Sequence, residues 1–509
     1  MAEPSQVPSQ DEAETPPETL RAVSAPTPSP PGPGLLIAVT GGPGDGKTRL
    51  LAELAAWHAT SHGRIDGFVS IAGHRPAPNK GADEYRVQLL ATGEERTWQR
   101  RDERLAPPYR FDEETFAWLE AWARALPGGS PLVVLDEFSR LEAEGGGLMR
   151  LWPGILEARP RIVVMAVRSG LEAAIEARLR RRFDVRVSST APDALLRLQG
   201  ACADFGEWTR IGLFGGASGA IETTVGTALH VANVPLRGLV LASLQGMMMT
   251  FAGLGLAQPV RVVWVPLISA GLKALSPGGS RLRPMLAIAA QGALFGAAVQ
   301  MLGFNLLGVS LGGALVGAWA ALQGFVLQYL ALGQELVRAY DTAVLWLAAH
   351  WHVSAPGLPW LVGAWTALHG VAAGAAAVVA WRLGAPPRRL RELIDREAGR
   401  PSPVPEVGAA PAARGRRLVR DLTRWQLWLP AALVAAIMLT AGRPLEAVAW
   451  LALRFVAVSL VLLSLVSLVR PARWAEVLRR HGFWGPAVAM GDAIDRQGGT
   501  PSGTPAKRP

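Results

Sequence analysis

Residues 35–48 read LLIAVTGGPGDGKT, and this stretch decides the fold of the amino-terminal part of the chain. Its first six residues are almost all apolar and suit a buried strand, and the pattern from Arg49 to Thr60 suits a helix. Between the two, Gly41 to Thr48 fit the spacing G-x-x-x-x-G-K-[ST] completely. The sequence therefore predicts a phosphate-binding loop that joins a strand to a helix.

Phosphate chemistry requires these residue types at this spacing. Glycines let successive backbone N–H groups curl around phosphate oxygens, and the amino terminus of the next helix adds a favourable potential. Lys47 can neutralise the β- and γ-phosphates of ATP or GTP, and the Thr48 hydroxyl can ligate Mg²⁺. The predicted nucleotide contacts are Gly41, Gly42, Pro43, Gly44, Asp45, Gly46, Lys47, Thr48 and Arg49.

A second apolar run, residues 131–135, ends in Asp136 and Glu137. Asp136 stands where a second Mg²⁺-orienting carboxylate is expected, and Glu137 is placed to orient or deprotonate an attacking water. An Asp-Glu pair after a strand can also be a helix cap, but the upstream phosphate loop favours the functional interpretation. We therefore predict Thr48 and Asp136 as the metal ligands, and Lys47 and Glu137 as catalytic residues.

A third apolar run, residues 161–167, leads into a helix-like segment. Strand runs that alternate with helical patterns predict an α/β domain over residues 35–205, with a parallel sheet and crossover helices. Arg168 at the end of this run could contact the γ-phosphate, and Arg75 lies in another strand-then-loop stretch. Either arginine can equally be an ordinary surface residue.

Beyond about residue 210 the chain contains apolar stretches of roughly 20 residues, the length that a bilayer-spanning helix needs. An even number of spans returns the chain to the side on which it began. We therefore predict an all-α polytopic transmembrane bundle in the inner (cytoplasmic) membrane, with the nucleotide domain in the cytoplasm. The candidate spans are 211–230, 236–257, 259–275, 284–304, 308–333, 359–381, 425–441 and 446–469, of which the third is short and could be re-entrant.

This division predicts six segments. They are a disordered Pro-, Ser- and Glu-rich leader (1–34), the phosphate-loop domain (35–205), a six-span membrane domain (208–383), an Arg- and Pro-rich cytoplasmic linker (384–424), a two-span hairpin (425–470) and a basic cytoplasmic tail (471–509).

The formal net charge of +10 does not predict a nucleic-acid partner. The densest basic run, from Arg382 to Arg424, lies between two predicted spans, where cytoplasmic loops collect arginine. The single cysteine, Cys202, excludes an intramolecular disulfide and any metal motif built on paired cysteines.

Several polar residues fall in or beside the predicted spans, where they usually face the bundle interior or a cavity. One interpretation is a polar substrate pocket, and the other is hydrogen bonding between helices. Glu222 is the strongest single candidate, because it is the only carboxylate within the early spans. The predicted polar site comprises Glu222, Gln245, Gln300 and Asn305.

The soluble part resembles the small nucleoside-triphosphatase family of RecA-like P-loop proteins, which are sometimes linked to nucleotide kinases. The resemblance rests on GGPGDGKT (41–48), GRIDGF (63–68) and LVVLDEFSRLE (132–142), with Leu141-Glu142 in the place of the family's Met-Glu pair. It implies Mg²⁺-dependent hydrolysis of ATP or GTP with loose base preference. The chain departs from the family in residues 70–75, which lack its acidic residue, and in residues 190–193, which lack its Asn-Arg.

The six-span unit is similar to the substrate-binding membrane components of energy-coupling-factor transporters, over residues 234–288 and the Gly-rich span after them. More faintly, residues 470–490 resemble the cytoplasmic helices of the coupling components, without their Ala-Arg-Gly signature. These resemblances imply a small-molecule solute as a partner.

Together these observations predict a membrane-bound, Mg²⁺-dependent nucleoside triphosphatase that energises or regulates small-molecule transport. Two alternatives stay open: a nucleotide-dependent membrane switch or anchor without transport, and a nucleotide kinase. A nucleoside triphosphate and the lipid bilayer are the expected partners, and a homodimer is plausible because P-loop machines commonly pair their domains.

Overall fold

The computed structural model of the protein describes residues 34–74, 81–105, 109–231, 236–273, 282–351, 357–398, 425–468 and 471–498. The predicted leader (except Gly34), Arg75 and the Pro-rich part of the predicted linker therefore lie outside the described residues.

The amino-terminal domain is built on an eight-stranded sheet. The strands are β1 (Leu35–Gly41), β2 (Asp66–Ala72), β3 (Glu84–Leu89), β4 (Glu95–Arg101), β5 (Tyr109–Phe111), β6 (Leu132–Phe138), β7 (Ile162–Arg168) and β8 (Val185–Ser188). Their order in the sheet is β5-β4-β3-β2-β6-β7-β1-β8. The five strands from β2 to β8 in this order run parallel, and β3, β4 and β5 extend one edge as an antiparallel ladder.

Helices cover both faces of the parallel strands, which explains why these strands read as continuous apolar runs rather than alternating ones. The helices of the domain are α1 (Lys47–His62), α2 (Glu113–Arg124), α3 (Arg140–Ala143), α4 (Trp152–Ala158) and α5 (Glu172–Leu179), with a 3₁₀ turn at Gly147–Leu151. One core lies under α2, α4 and α5, and a second core lies under α1 and the start of the next helix. The structure thus has the α/β architecture with mostly parallel strands that the sequence predicts.

The next helix, α6 (Ala194–Val231), passes without a break from the α/β domain into the helical region. Leu198 and Phe205 pack in the second core of the α/β domain, whereas Ile211 and Phe214 pack in the core of the helical region. At 38 residues the helix is roughly 57 Å long, at 1.5 Å per residue. The boundary that composition predicts near residue 208 therefore falls inside one continuous helix.

The helical region contains the remaining elements. They are α7 (Arg237–Gly253), a 3₁₀ turn (Pro259–Val263), α8 (Trp264–Lys273), α9 (Leu282–Leu302), α10 (Leu306–Leu332), α11 (Gln334–Trp351), α12 (Leu358–Leu383), α13 (Arg388–Ala398), α14 (Trp425–Thr440), α15 (Leu445–Leu468), α16 (Pro471–Arg480) and α17 (Trp484–Gly498). Within the described part of the chain, three helical stretches are long and apolar enough to cross a membrane: Pro284–Leu302, Leu306–Leu332 and Leu358–Leu383. They correspond to three of the eight predicted spans.

Three elements differ from the predicted organisation. The segment predicted as a third, interrupted span is a 3₁₀ turn followed by the ten-residue α8, which at about 15 Å is only half as long as a hydrocarbon core is thick. Helix α11 occupies a stretch outside the predicted spans. Helix α13 lies within the predicted linker, and its Ile394 is buried in the core of the helical region.

The carboxy-terminal helices α16 and α17 fold back onto the α/β domain. Val488 of α17 is buried in the α/β core, and Trp484 contacts both that core and the core of the helical region. Arg479 of α16 forms an ion pair with Asp184, just before β8, with Nε and Oδ1 3.0 Å apart. The part of the predicted tail that the structure describes is therefore a packed connection between the two regions.

Candidate functional site

The glycine loop between β1 and α1 has the backbone geometry that its sequence requires. Gly44 and Gly46 have φ values of 87° and 77°, in the left-handed region where residues with a side chain are strained. Helix α1 begins at Lys47, directly after Gly46, and no side chain caps its amino terminus. The N–H groups of this first helical turn therefore face the space above the loop, where an anion would be stabilised.

Lys47 folds back over the loop. Its Nζ donates to the carbonyl oxygens of Gly41 and Gly42, at 3.1 and 2.7 Å. The loop is also closed from the other side, because the N–H of Gly42 donates to the carboxylate of Asp45 at 2.6 Å. These contacts fix the loop shape and hold an ammonium group at its centre.

Thr48 joins the loop to the end of β6. Its Oγ1 donates to Oδ2 of Asp136 at 2.7 Å, across the end of the intervening strand β7. Asp136 is fully buried and also accepts from the backbone N–H groups of Ser70, at 3.1 Å, and Glu137, at 2.9 Å. The structure thus brings together the two residues that the sequence predicts as metal ligands.

Glu137 occupies a strained position. Its φ of 66° is in the left-handed region, which non-glycine residues adopt rarely. The register between β6 and β7 shifts between Leu135 and Phe138, so Glu137 lies in a bulge. Bulges and strained residues are frequent beside active sites, where they re-aim a side chain.

The electrostatics of this carboxylate pair suit acid–base chemistry. Burial raises the pKa of Asp136, and hydrogen bonds from Thr48 and two backbone N–H groups oppose the rise. Burial, followed by the charge of Asp136, raises the pKa of Glu137 to about 7, although Lys47 and Arg168 act in the opposite direction. A carboxylate that titrates near neutrality can both accept and release a proton at the pH of a cell.

Glu142, which the resemblance matches to the glutamate of the family's Met-Glu pair, has a structural role at this site. It accepts hydrogen bonds from the backbone N–H groups of Ser139 and Leu148, at 2.8 and 3.1 Å, and forms the capping box of α3 with Ser139. Burial raises its pKa, and its charge contributes to raising the pKa of Glu137. It therefore positions the loop after β6 and modulates the carboxylate beside it.

The arginine candidates fall in different places. Arg168 ends β7 in register with Gly41, and its charge acts on Glu137, so it lies at the loop edge of the sheet. Arg49 turns away toward Glu53, one helical turn along, at 2.8 Å, and its side chain is exposed. Arg75 lies outside the described residues.

Two serines at this edge of the sheet are absent from the set of residues that the sequence predicts. Ser70, whose N–H binds Asp136, also has a buried hydroxyl without a hydrogen-bond partner among the described residues. The Ser189 hydroxyl is likewise buried and unpartnered there, and a Cβ on Gly41 would clash with its oxygen, so a larger residue at position 41 would displace this hydroxyl. Neither serine belongs to a recognisable motif, and only the sheet order brings both to the loop.

The oxygen atoms at this site are of the kind that bind Mg²⁺. Thr48 and Asp136 offer two hard oxygen ligands, the type that Mg²⁺ prefers, and Mg²⁺ commonly takes one or two protein ligands with the rest from phosphate and water. In the described part of the chain, no group of three or more His, Cys, Asp or Glu side chains could hold a metal ion by itself. The residues present therefore fit Mg²⁺ bound together with a phosphate ligand.

The predicted membrane polar site is only partly assembled. Gln245 is buried and accepts from the Ser218 hydroxyl, and Glu222 lies one turn beyond Ser218 on α6. Gln300 is exposed, and Asn305 caps α10 by accepting from the N–H groups at the start of that helix. Among the described residues no hydrogen bond joins the four predicted side chains to one another.

Comparison with known proteins gives one match. Residues 36–177 match a family described as "Protein of unknown function (DUF2478)", which covers β1 to α5 and includes the glycine loop and the Asp136-Glu137 pair. No curated protein and no solved structure matches the chain.

Proposed function

We propose that this protein is a membrane-bound, Mg²⁺-dependent nucleoside triphosphatase. The observation that carries the proposal is the hydrogen bond from Thr48 to Asp136, which joins a glycine-rich anion loop to a buried carboxylate. In phosphoryl-transfer proteins a hydroxyl and a carboxylate in this relationship hold a metal ion that neutralises phosphate charge. The substrate class is therefore ATP or GTP.

Each residue then has a defined task. The loop N–H groups and Lys47 bind and orient the phosphates, which requires Lys47 to exchange its loop carbonyls for phosphate oxygens. Thr48 and Asp136 would hold Mg²⁺, which supplies charge neutralisation at the phosphates when it is bound. Glu137 accepts a proton from the attacking water, and Arg168 faces the charge that develops on the γ-phosphate.

Helix α6 connects the proposed hydrolytic site to the proposed membrane part. A helix that packs in both cores can carry a displacement at the sheet edge into the helical region, and the ion pair of Arg479 with Asp184 supports a second connection. We propose that hydrolysis energises or regulates the passage of a small solute across the inner membrane, with the α/β domain on the cytoplasmic side. The basic run after α12 supports this orientation.

Following the γ-phosphate discriminates this proposal from its alternatives. Full-length protein in nanodiscs is incubated with γ-labelled ATP or GTP, Mg²⁺ and a mixture of nucleoside mono- and diphosphates. Release of free phosphate supports the triphosphatase, whereas transfer of the label to a second nucleotide supports a kinase. Tight binding without turnover, lost in Lys47→Ala, supports the nucleotide switch.

A further inference from the structure

Gln245 of α7 is a buried polar residue whose hydrogen bonding is incomplete. Its Oε1 accepts from the Ser218 hydroxyl of α6, but its Nε2 is buried and has no acceptor in the part of the chain that the structure describes. Burying a donor without an acceptor is destabilising, so its retention calls for an explanation, such as a ligand.

Glu222 lies one turn beyond Ser218 on the same side of α6. A Cβ atom placed on Gly226 would lie within 4 Å of Oε2 of Glu222 and within 4 Å of the Leu241 side chain. Leu241 is one turn before Gln245 on α7. No hydrogen bond to this carboxylate occurs among the described residues. Lys273 donates to the backbone oxygen of Glu222 at 3.0 Å and places a positive charge beside it.

His369 of α12 borders the same face of α7. Its Nε2 is 3.9 Å from the position that a side chain on Gly238 would occupy, and its Nδ1 pairs with the carbonyl oxygen of Trp365. Gly238 and Gln245 are seven residues apart, so they lie on one face of the helix. Helices α6 and α7 therefore bring a carboxylate and an amide close together, through Ser218 and Leu241, whereas His369 lies about 10 Å further along α7, at 1.5 Å per residue.

We propose that Glu222 and Gln245 bind a small zwitterionic solute that carries an amine and a carboxylate. Glu222 accepts from the amine, and the unpartnered Nε2 of Gln245 donates to a carboxylate oxygen. Glu222 and Lys273 carry opposite charges, so the site without ligand has no net charge. A solute with a net charge would therefore leave one charge uncompensated in an apolar region, whereas a zwitterion would not. The binding step itself needs no nucleotide, so it stands apart from the proposed hydrolysis.

The test measures the thermal stability of full-length protein in nanodiscs without nucleotide. Glycine, β-alanine and γ-aminobutyrate serve as probes with increasing separation between ammonium and carboxylate. As controls, acetate carries only the carboxylate and methylammonium carries only the ammonium group. At least one zwitterion is expected to raise the melting temperature by about 3 °C or more, because a ligand stabilises the state that binds it. Acetate and methylammonium are expected to have no such effect.

Two variants and one control complete the test. Glu222→Gln and Gln245→Leu are expected to abolish the ligand-induced shift, and Gln300→Leu, which changes an exposed glutamine of α9, is expected to retain it. The proposal is overturned if no zwitterion shifts the melting temperature of the wild type, if acetate or methylammonium shifts it equally, or if either variant keeps the full shift. Because phosphate release is measured separately, failure here and failure of the triphosphatase proposal are distinguishable.

Discussion

Asp184 and Arg479 form an ion pair between the α/β domain and the carboxy-terminal helix α16, with Oδ1 and Nε 3.0 Å apart. The Asp184 side chain is fully buried, and its other oxygen accepts from Arg181 and from the N–H of Leu36, each at 2.9 Å. Leu36 lies in the strand that leads into the glycine loop. The end of the chain is therefore anchored to the strand that carries the candidate site.

Arg479→Ala is expected to destabilise the α/β domain by about 1–3 kcal/mol, because it removes one of the three partners of the buried Asp184 carboxylate. Arg480→Ala is the matched control. It removes an exposed pair with Glu476, so a change below about 0.5 kcal/mol is expected. Thermal unfolding of both variants in nanodiscs measures the difference, and equal melting temperatures would contradict the anchoring role.

Thr48→Ala is expected to raise the Mg²⁺ concentration needed for half-maximal turnover by about tenfold or more, since it removes an oxygen ligand from the proposed metal site. Thr48→Ser keeps the hydroxyl and is expected to stay near the wild type. Turnover is measured against Mg²⁺ concentration at saturating nucleotide. A Thr48→Ala variant with unchanged Mg²⁺ dependence would show that Thr48 is no metal ligand.

The pH dependence of turnover reports on Glu137, whose pKa is raised to about 7 by burial and by Asp136. A general base must be deprotonated, so turnover is expected to increase from pH 6 to pH 8 with a midpoint near pH 7. Bound nucleotide and Mg²⁺ add charges of both signs, so the profile is measured at saturating levels of each. A profile that is flat across this range would argue against Glu137 as the base.

Stability is expected to change with pH in the opposite direction. The folded protein holds the Glu137 proton up to about pH 7, whereas the unfolded chain releases it near pH 4.5. The stabilisation is therefore fully present below pH 4.5 and is lost as the pH rises through 7. Glu137→Gln is expected to be more stable than the wild type at pH 8, by about 1–2 kcal/mol, and the difference should shrink toward pH 5. Thermal unfolding without nucleotide at the two pH values measures it, and a pH-independent difference would contradict the raised pKa.

The sequence predicts the loop and Thr48 because a short motif fixes their relation to a strand and a helix, and it predicts Asp136 because this residue ends a separate apolar run. It does not predict the left-handed backbone of Glu137, since the bulge that produces it depends on pairing with β7. The composition changes near residue 208 and so predicts a domain boundary there. In the structure this position lies inside one continuous helix that packs in both cores. Nor does the sequence predict that Asn305 caps α10, a role that depends on where the helix begins.

The ion pair between Asp184 and Arg479 could not be predicted from the sequence. Both residues look like ordinary surface charges in the sequence, and no spacing rule relates positions so far apart. Only the return of α16 and α17 to the α/β core brings them together. Side-chain pairs that depend on long-range packing are therefore beyond what motif and periodicity can predict.

The most direct test of the central claim is phosphate release from ATP and GTP by full-length protein in nanodiscs with Mg²⁺. Lys47→Ala removes the loop cation, Glu137→Gln removes the proposed base, and Glu144→Gln changes an exposed glutamate nearby as the control. We predict turnover in the wild type and in Glu144→Gln, and a loss of roughly 10²–10⁴-fold in Glu137→Gln, the range expected for a general base, with turnover also lost in Lys47→Ala. No detectable phosphate release by the wild type, or release unaffected by both Lys47→Ala and Glu137→Gln, would contradict the account.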